Sequence, residues 1–323
     1  MQAKLFAILL LLLSVLPVMA QDSNLTSDCV ADYEEGVDYF PDKVEVLDAE
    51  NFTVDYFGNY KVVTITDAYD DAQAFDYVLV QCGTPAPSVD DFPEGTQFIE
   101  VPTGKVITLS TTQLPTLTQL GLLDNLVGVD SFDYINTPEV LAMIENDELV
   151  AVGFNSDINV ELVLSLEPDM VMTYGFDPST DAHPILLDAG VTTVLDASWR
   201  ELSPLGRAEW IKFTAVFYNA EATANTVYTD TKTQYEDAQA LALSIPEDER
   251  PTVLINSFLS YADAWYLPGE DTYVGQLVRD AGGQLVFTDG DPQESNGFGF
   301  EVVYENGLDA DVWLVDTFAV NTQ

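Results

Sequence analysis

Residues 158–175 read INVELVLSLEPDMVMTYG and combine a short helix with a buried strand. Asn159 is a favourable N-cap residue, and the helix that it begins should continue to Leu166, because Pro168 stops it soon afterwards. Residues 170–172 are Met-Val-Met, an uninterrupted apolar run that is typical of a strand buried on both faces. A helix followed directly by such a strand indicates an α/β fold with a parallel sheet.

The alternation of short strands and helices continues on both sides of this stretch. Strands are expected at 106–109, 126–129 and 192–195, and helices at 112–120, 138–146 and 183–189. A second α/β unit should contain strand 252–255, helix 273–280 and strand 312–315. Because ligands bind such sheets at the carboxyl ends of their strands, we expect a binding site in the loops that follow the strands.

A long helix should separate the two α/β units. Residues 205–243 contain no proline and no glycine after Gly206, and Asn219 should divide a shorter helix from a longer one. The longer helix, of about 24 residues at roughly 1.5 Å each, would form a rod of about 36 Å that can join two lobes. Its apolar side chains recur at helical spacing and should be mostly buried against both lobes: Val227, Tyr228, Tyr235 and Leu241.

These patterns divide the chain into five segments. A signal peptide at 1–20 and a β-rich segment at 21–103 precede an α/β lobe at 104–203. The lead and inter-lobe helices occupy 204–245, and a second α/β lobe occupies 246–323. The second lobe is shorter than the first and ends soon after a buried strand, so we expect it to be incomplete.

The N-terminus predicts export. Lys4 precedes an apolar run, and residues 18–20, Val-Met-Ala, resemble the small-residue site of signal-peptide cleavage. The mature protein should therefore be soluble and lie outside the cytoplasm, either in the periplasm or secreted, or at the extracellular surface.

The only cysteines in the sequence are Cys29 and Cys82. In an oxidising compartment one disulfide between them is the simplest arrangement. Two free thiols or a pair of metal ligands are the alternatives.

The chain is strongly acidic, with 55 acidic and 10 basic residues and a formal net charge of −45. Such a surface repels nucleic acid and anionic membranes, which excludes nucleic acid as a partner. The same field opposes strongly anionic ligands and favours neutral or cationic ones.

Four stretches resemble the helical-backbone (cluster A, or class III) periplasmic binding proteins, which are the receptors of ABC importers for iron-siderophores, haem and cobalamin. These are 158–175, SWRELSPLGRAEWIKF at 198–213, WYLPGEDTYVGQLVRDAGG at 265–283 and FEVVYENGLDADVWLV at 300–315. The resemblance covers roughly 104–323 and implies two α/β lobes with parallel-rich sheets, joined by one long helix, with the ligand in the cleft between them. The family would continue past residue 323 by several tens of residues.

The resemblance also implies partners and a docking role for two carboxylates. The partners are an ABC transporter permease and a small-molecule metal chelate, and the protein should act as a monomer. Glu161 and Glu301 each lie near the start of a predicted helix, one in each lobe, and in this family such residues dock onto arginines of the permease. The alternative is that each carboxylate merely stabilises its own helix through the helix dipole, by roughly 0.3–1 kcal/mol.

The cleft residues should lie on loops that follow strands. Aromatic side chains there would offer flat surfaces to a macrocyclic or aryl ligand, although ordinary half-buried packing is the alternative for each. The candidates are Thr111, Thr112, Tyr134, Tyr174, Trp199, Arg200, Tyr261 and Trp265. Arg207 is expected to form a structural ion pair with Glu201 or Glu209.

A bare metal site and an enzyme are both disfavoured. His183 is the only histidine, whereas free zinc or manganese requires several histidine and carboxylate ligands, so His183 is expected to be a surface or packing residue. No resident metal or cofactor is expected, and any iron or cobalt would arrive within the ligand. The sequence lacks GxSxG and HExxH, which argues against the common hydrolases. An exported binding or sensory module that is not coupled to transport, and less so a carboxylate-based hydrolase, are the alternatives.

Overall fold

The computed structural model describes residues 22–70 and 73–315. The predicted signal peptide at 1–20 and the last eight residues of the predicted second lobe lie outside the described residues. None of the helices between residues 22 and 315 combines the length and the apolar character needed to cross a bilayer.

The β-rich N-terminal segment forms a four-stranded sheet. Strands β1 (Phe52–Tyr56), β2 (Tyr60–Ile65) and β3 (Phe75–Gln81) pair antiparallel in chain order, and β4 (Gln97–Val101) adds to β3 in parallel. A turn at residues 58–59 joins β1 to β2, and Gly58 adopts a positive φ of 68° there. The segment between β3 and β4 is a loop, as its three prolines indicate.

The first lobe contains a five-stranded sheet in which every pair is parallel. Its strands are β5 (Val106–Thr108), β6 (Leu126–Val129), β7 (Val150–Ala151), β8 (Met170–Tyr174) and β9 (Thr193–Asp196), in the order β7-β6-β5-β8-β9. Strand β8 is buried along residues 170–173, which confirms the strand predicted from the Met-Val-Met run. β7 was not predicted, because its two residues are too short to produce a pattern.

Four short helices connect these strands, and local signals set their ends. They are α1 (Leu114–Leu120), α2 (Pro138–Glu145), α3 (Val160–Leu166) and α4 (Ala182–Asp188). The Asn159 side chain accepts a hydrogen bond from the backbone N–H of Leu162, which caps α3 as predicted. Gly121 ends α1 with a left-handed φ of 71°, a conformation that glycine adopts without steric cost.

Two consecutive helices follow, α5 (Pro204–Val216) and α6 (Glu221–Leu243). Asn219 lies between them with a positive φ of 56°, so the predicted break is confirmed. The α6 stripe was predicted to be mostly buried, and this prediction is wrong at its C-terminal end. Tyr228 is buried and Val227 and Tyr235 are half-buried, but Leu241 is 75% exposed. Within the described residues the second half of α6 packs mainly against one helix of the second lobe, so its other faces remain open to solvent.

The second lobe has a mixed sheet around strand β10 (Thr252–Leu259). Strands β12 (Gln284–Leu285) and β14 (Val312–Val315) pair with β10 in parallel, whereas β11 (Ala264–Pro268) pairs with β10 and β13 (Ser295–Phe298) pairs with β11 antiparallel. Helices α7 (Tyr273–Asp280) and α8 (Phe300–Gly307) complete the described part. The predicted α7 is confirmed, while β11 and β13 were not predicted; most of β11 lies in the stretch 265–283 that carries the family resemblance.

The N-terminal segment and the first lobe share one hydrophobic core. Phe52 of β1, Val101 of β4, Leu117 of α1 and Phe213 of α5 all belong to it. The predicted boundary at residue 103 therefore separates two sequence patterns but not two hydrophobic cores.

Carboxylates on α5 and just before it also bind the backbone of the N-terminal segment. Glu209 is fully buried and accepts hydrogen bonds from the backbone N–H groups of residues 47–49, while Lys212 donates to it at 2.6 Å. Glu201 accepts from the backbone N–H groups of residues 50 and 51 and from the Trp210 indole. Burying these charges is tolerable because each one is paired or fully hydrogen-bonded.

A second buried ion pair fixes the start of α6. Lys61 of β2 and Glu221 of α6 are both fully buried and form a salt bridge, and Lys61 also donates to Asn219 at 2.9 Å. The inter-lobe helix is therefore anchored to the N-terminal sheet at its first turn.

Cys29 and Cys82 are joined in a disulfide, the arrangement that the sequence favours. Glu100 lies close to both sulfur atoms. Because the sulfur atoms are bonded to each other, they are not available as thiolate ligands for a metal.

Candidate ligand-binding groove

The carboxyl ends of four parallel strands bring polar side chains to one edge of the first-lobe sheet. Ser110 follows β5, Asp130 follows β6, Tyr174 ends β8 and Asp196 ends β9. This edge is where α/β sheets bind ligands, because the loops and helix N-termini diverge there.

Three adjoining cavities form a continuous groove along this edge. The first, of about 690 Å³, and the second, of about 380 Å³, share Ser110 and Tyr174. The third, of about 560 Å³, shares Trp199 and Arg207 with the second and is closed by residues 272–274 and 293–295 of the second lobe. The groove thus runs from the first lobe into the space between the lobes.

Five of the predicted cleft residues line the first two cavities. Thr111 and Tyr134 lie in the first, Thr112 and Trp199 in the second, and Tyr174 borders both. The Tyr174 hydroxyl donates a hydrogen bond of 2.9 Å to the side-chain oxygen of Asn155, and partial burial raises the pKa of Tyr174. Tyr134 is 74% exposed, so its ring is free to cover a ligand.

Trp199 lines both the second and the third cavity, and Arg200, the next predicted residue, lines the third. The Trp199 indole donates to the carbonyl of Gly175 at 3.1 Å, and the Arg200 guanidinium lies 5.2 Å from the indole ring. Arg200 forms ion pairs with Asp67 and Asp70 of the loop after β2, at 3.0 and 2.7 Å. The N-terminal segment therefore holds this part of the groove in position.

Gly175 allows the loop after β2 to lie close to the end of β8. A Cβ at this position would lie 2.5 Å from the carbonyl oxygen of Ala68, in the loop after β2. Any larger residue would push that loop away from the end of β8, and with it the carboxylates that pair with Arg200.

Arg207 contributes differently from the prediction. The expected ion pair with Glu201 or Glu209 is wrong, since both carboxylates bind the backbone of residues 47–51 instead. The Arg207 guanidinium donates to the carbonyls of Glu201 and Trp199, at 2.9 and 2.5 Å, and lies 4.0 Å from the ring of Tyr273 in the second lobe. Burial lowers the pKa of Arg207. Arg207 thus links the two sides of the groove.

Comparison with known proteins identifies the chain's family. The model of the periplasmic binding protein family matches residues 106–322. The chain belongs to this family. An uncharacterised lipoprotein of Methanocaldococcus jannaschii is 25% identical over 260 residues, which are 76% of this chain and 60% of that protein. An ABC transporter substrate-binding lipoprotein of Bacillus subtilis is 28% identical over 226 residues, 62% of this chain and 66% of that protein.

A cobalamin-binding protein of Halobacterium salinarum is 27% identical over 194 residues, 57% of this chain and 46% of its own length. This chain spans about 60% of the length of the Methanocaldococcus jannaschii lipoprotein and of a second lipoprotein from the same organism. A periplasmic binding protein structure from Veillonella parvula aligns with a TM-score of 0.54 at 15% identity, covering 80% of this chain and 77% of that one. This solved structure supports the fold of two α/β lobes.

The structure places several carboxylates in the groove of this periplasmic binding protein that the sequence did not single out. Asp130 lines the first cavity and Asp196 the second, and burial raises the pKa of both. Each one directly follows a predicted strand, so treating the residue after each strand as a site candidate would have found both. Phe154 and Phe176, exposed on loops of the same edge, were also missed.

The two predicted second-lobe residues do not join these cavities. Trp265 on β11 packs against Phe258 and lines a separate apolar cavity of about 190 Å³ with Phe300 and Trp313. Tyr261 lies in the turn between β10 and β11 and is 85% exposed. Their role in ligand binding stays a prediction.

Glu161 and Glu301 occupy equivalent places in the two lobes. Each is exposed in the first turn of its helix, α3 for Glu161 and α8 for Glu301. Both carboxylates are therefore accessible to a protein partner, and both positions are also favoured by the helix dipole.

His183 is a packing residue and lies away from the groove. It is buried in α4 against Phe75 and Tyr69 of the N-terminal segment, with ring centroids at 5.6 and 6.4 Å. Desolvation lowers the pKa of His183 to about 4, so the ring is neutral at physiological pH.

Proposed function

We propose that this protein is the extracytoplasmic receptor of an ABC importer and that it binds one metal chelate per monomer in the groove between its lobes. The ligand class is an iron-siderophore, corrinoid or haem-like chelate, so that iron or cobalt enters with the ligand as cargo. The observation that carries the proposal is the groove itself, which combines aromatic rings with hydroxyl groups at the carboxyl ends of parallel strands.

The shape and lining of the groove suit a ligand of this size. The largest cavity, about 690 Å³, lies within the range of small-molecule sites, and the two adjoining cavities extend it. Tyr134, Trp199 and Phe176 expose ring surface along the groove, which can stack on a flat or macrocyclic ligand. The cobalamin-binding relative from Halobacterium salinarum supports a chelate as the ligand.

Delivery to a permease rests on Glu161 and Glu301. One exposed carboxylate near the start of a helix in each lobe would present a matched pair of acceptors to arginines of a membrane protein. The Bacillus subtilis relative, a substrate-binding lipoprotein of an ABC transporter, supports this partner.

Fluorescence titration tests ligand binding. The protein contains four tryptophans, and Trp199 lies in the groove, so ferric siderophores, haem and cobalamin should change its emission. The Trp199→Phe variant should lose most of this change. Binding of a sugar or a peptide, with no response to any of these chelates, would refute the ligand class.

The double variant Glu161→Gln/Glu301→Gln tests coupling to transport. It should keep the ligand affinity of the parent but abolish ligand uptake by cells that express the cognate importer. The matched control is Glu139→Gln/Glu305→Gln, which removes one exposed carboxylate from a helix of each lobe. Unchanged uptake with the double variant would favour a binding or sensory module that is not coupled to transport.

A further inference from the structure

The positive charges at the groove are already engaged by the protein. Arg200 is paired with Asp67 and Asp70, and Arg207 donates to two backbone carbonyls while its guanidinium covers Tyr273. A ligand that brought negative charge would have to compete with these partners for either arginine.

The negative charges in the groove are not balanced in this way. Asp130, Asp133 and Asp196 line the first two cavities, and among the described residues none of the three takes part in an ion pair. Asp196 accepts a hydrogen bond from the backbone N–H of Ser198, a neutral group. Burial disfavours the charged forms of Asp130 and Asp196, so a cation placed beside them would offset this cost.

Gln113 provides an independent sign of a missing partner. It lines the second cavity with only 2% of its surface exposed, and no group among the described residues donates to its side-chain oxygen. The orientation of the amide is settled by its nitrogen, which donates to the carbonyl of Thr173 at 3.2 Å, so the unpaired atom is the acceptor. A buried acceptor without a donor costs roughly 1–3 kcal/mol, which a ligand with an N–H or O–H group would recover.

Most side-chain hydrogen-bond donors that line the second cavity already have an acceptor. The Tyr174 hydroxyl donates to Asn155, and the Trp199 indole donates to Gly175. Ser110 and Thr112 share a hydrogen bond of 2.8 Å with each other. The free hydrogen-bonding capacity of the second cavity is therefore weighted towards acceptors.

We infer that the groove selects chelates that carry net positive charge and present N–H or O–H donors, such as protonated amines, and rejects chelates that bear carboxylates. This inference rests on the proposed function and narrows its ligand class. It differs from the general repulsion of anions by the charge of −45, because the selecting groups lie inside the cavities.

Two chelate scaffolds, each in a cationic and an anionic form, provide the test. The first is a linear ferric trihydroxamate with a free terminal amine, compared with its succinylated derivative. The second is an iron porphyrin with quaternary ammonium side chains, compared with one bearing carboxylates. Affinities are measured by tryptophan fluorescence at about 0.01 M and at about 0.15 M ionic strength, because salt screens the distant surface charges more than those in the groove.

On whichever scaffold binds, we expect the cationic form to bind at least ten-fold more tightly at both ionic strengths. The Asp130→Asn/Asp133→Asn variant should reduce this preference to about three-fold or less. Asp133→Asn alone, at an exposed position, serves if the double variant does not fold. The control Glu94→Gln/Asp124→Asn removes two exposed carboxylates outside the groove and should leave the preference unchanged.

The outcomes separate the inference from the proposed function. Equal or tighter binding of the anionic form overturns the charge selection but leaves a chelate receptor intact. A preference that the control variant weakens as much as the groove variant assigns the selection to the whole surface and also overturns the inference. No binding of any of the four chelates overturns the proposed function together with the inference.

Discussion

The single histidine allows a sharp test of how burial sets the pH dependence of stability. His183 is 3% exposed, and its Nε2 atom has no hydrogen-bond partner among residues 22–70 and 73–315. Its neighbours Phe75 and Tyr69 offer ring surfaces, and within the same ranges no charged partner stabilises an imidazolium there. Desolvation therefore lowers the pKa of His183 to about 4 in the folded protein, compared with an ordinary value of 6.5.

The sign and size of the effect follow from this difference in pKa. Between pH 6.5 and about 4 the unfolded chain binds the proton more readily than the folded chain. The contribution to the free energy of unfolding is then fully present above pH 6.5 and is lost as the pH falls. Each pH unit in this window costs up to about 1.4 kcal/mol, so a decrease to pH 4.5 should remove roughly 2.5 kcal/mol.

Urea unfolding at pH 7 and pH 4.5, followed by tryptophan fluorescence, measures this loss. The His183→Gln variant cannot titrate at this position but keeps every carboxylate, so the difference between the two proteins isolates the histidine. The wild type should lose about 2.5 kcal/mol more than the variant over this interval. Parallel losses within about 0.5 kcal/mol would show that the ring accepts a proton in the folded state without penalty, and the reasoning from burial would be wrong.

Three further predictions concern the contacts that hold the lobes and the N-terminal segment together. Lys61→Met leaves Glu221 buried without its partner and should cost about 3–5 kcal/mol in urea unfolding, whereas Lys61→Met/Glu221→Gln should recover a substantial part. Peptide mapping without reduction should recover Cys29 and Cys82 in one linked fragment, and reduction should lower the unfolding free energy by up to about 4 kcal/mol, given the 53-residue separation. X-ray scattering profiles with and without ligand should nearly superimpose, because a continuous 23-residue helix joins the lobes; a large fall in the radius of gyration would indicate a flexible hinge.

Much of the first lobe could be predicted because its signals are local. Asn159 caps α3, Pro168 follows it, and the apolar run at 170–172 forms the centre of β8. Once the strands were assigned, the rule that parallel sheets bind ligands at their carboxyl ends located Thr111, Tyr174 and the other lining residues. The strand pattern therefore carried both the fold and the position of the groove.

The contacts that shape the groove wall could not be read from local pattern. Arg200 pairs with Asp70, which is 130 positions earlier in the chain, and Glu209 binds the backbone near Asp48, 161 positions earlier. No periodicity or capping signal links residues so far apart, so Arg207 seemed the natural partner of Glu209. The same limit explains Leu241, whose helical spacing suited a buried stripe although no described part of the second lobe covers it.

The helix α5 connects these long-range contacts to ligand binding. On one side, Glu209 holds the backbone of residues 47–49; on the other, Arg207 holds the carbonyl of Trp199 and the ring of Tyr273. Gly206, which precedes Arg207, allows α5 to lie close to residue 48, since a Cβ there would lie 3.0 Å from the carbonyl oxygen of Asp48. The N-terminal segment therefore does more than extend the first lobe. It fixes the helix that carries Arg207, and Arg207 lines two of the three cavities in which the ligand is proposed to bind.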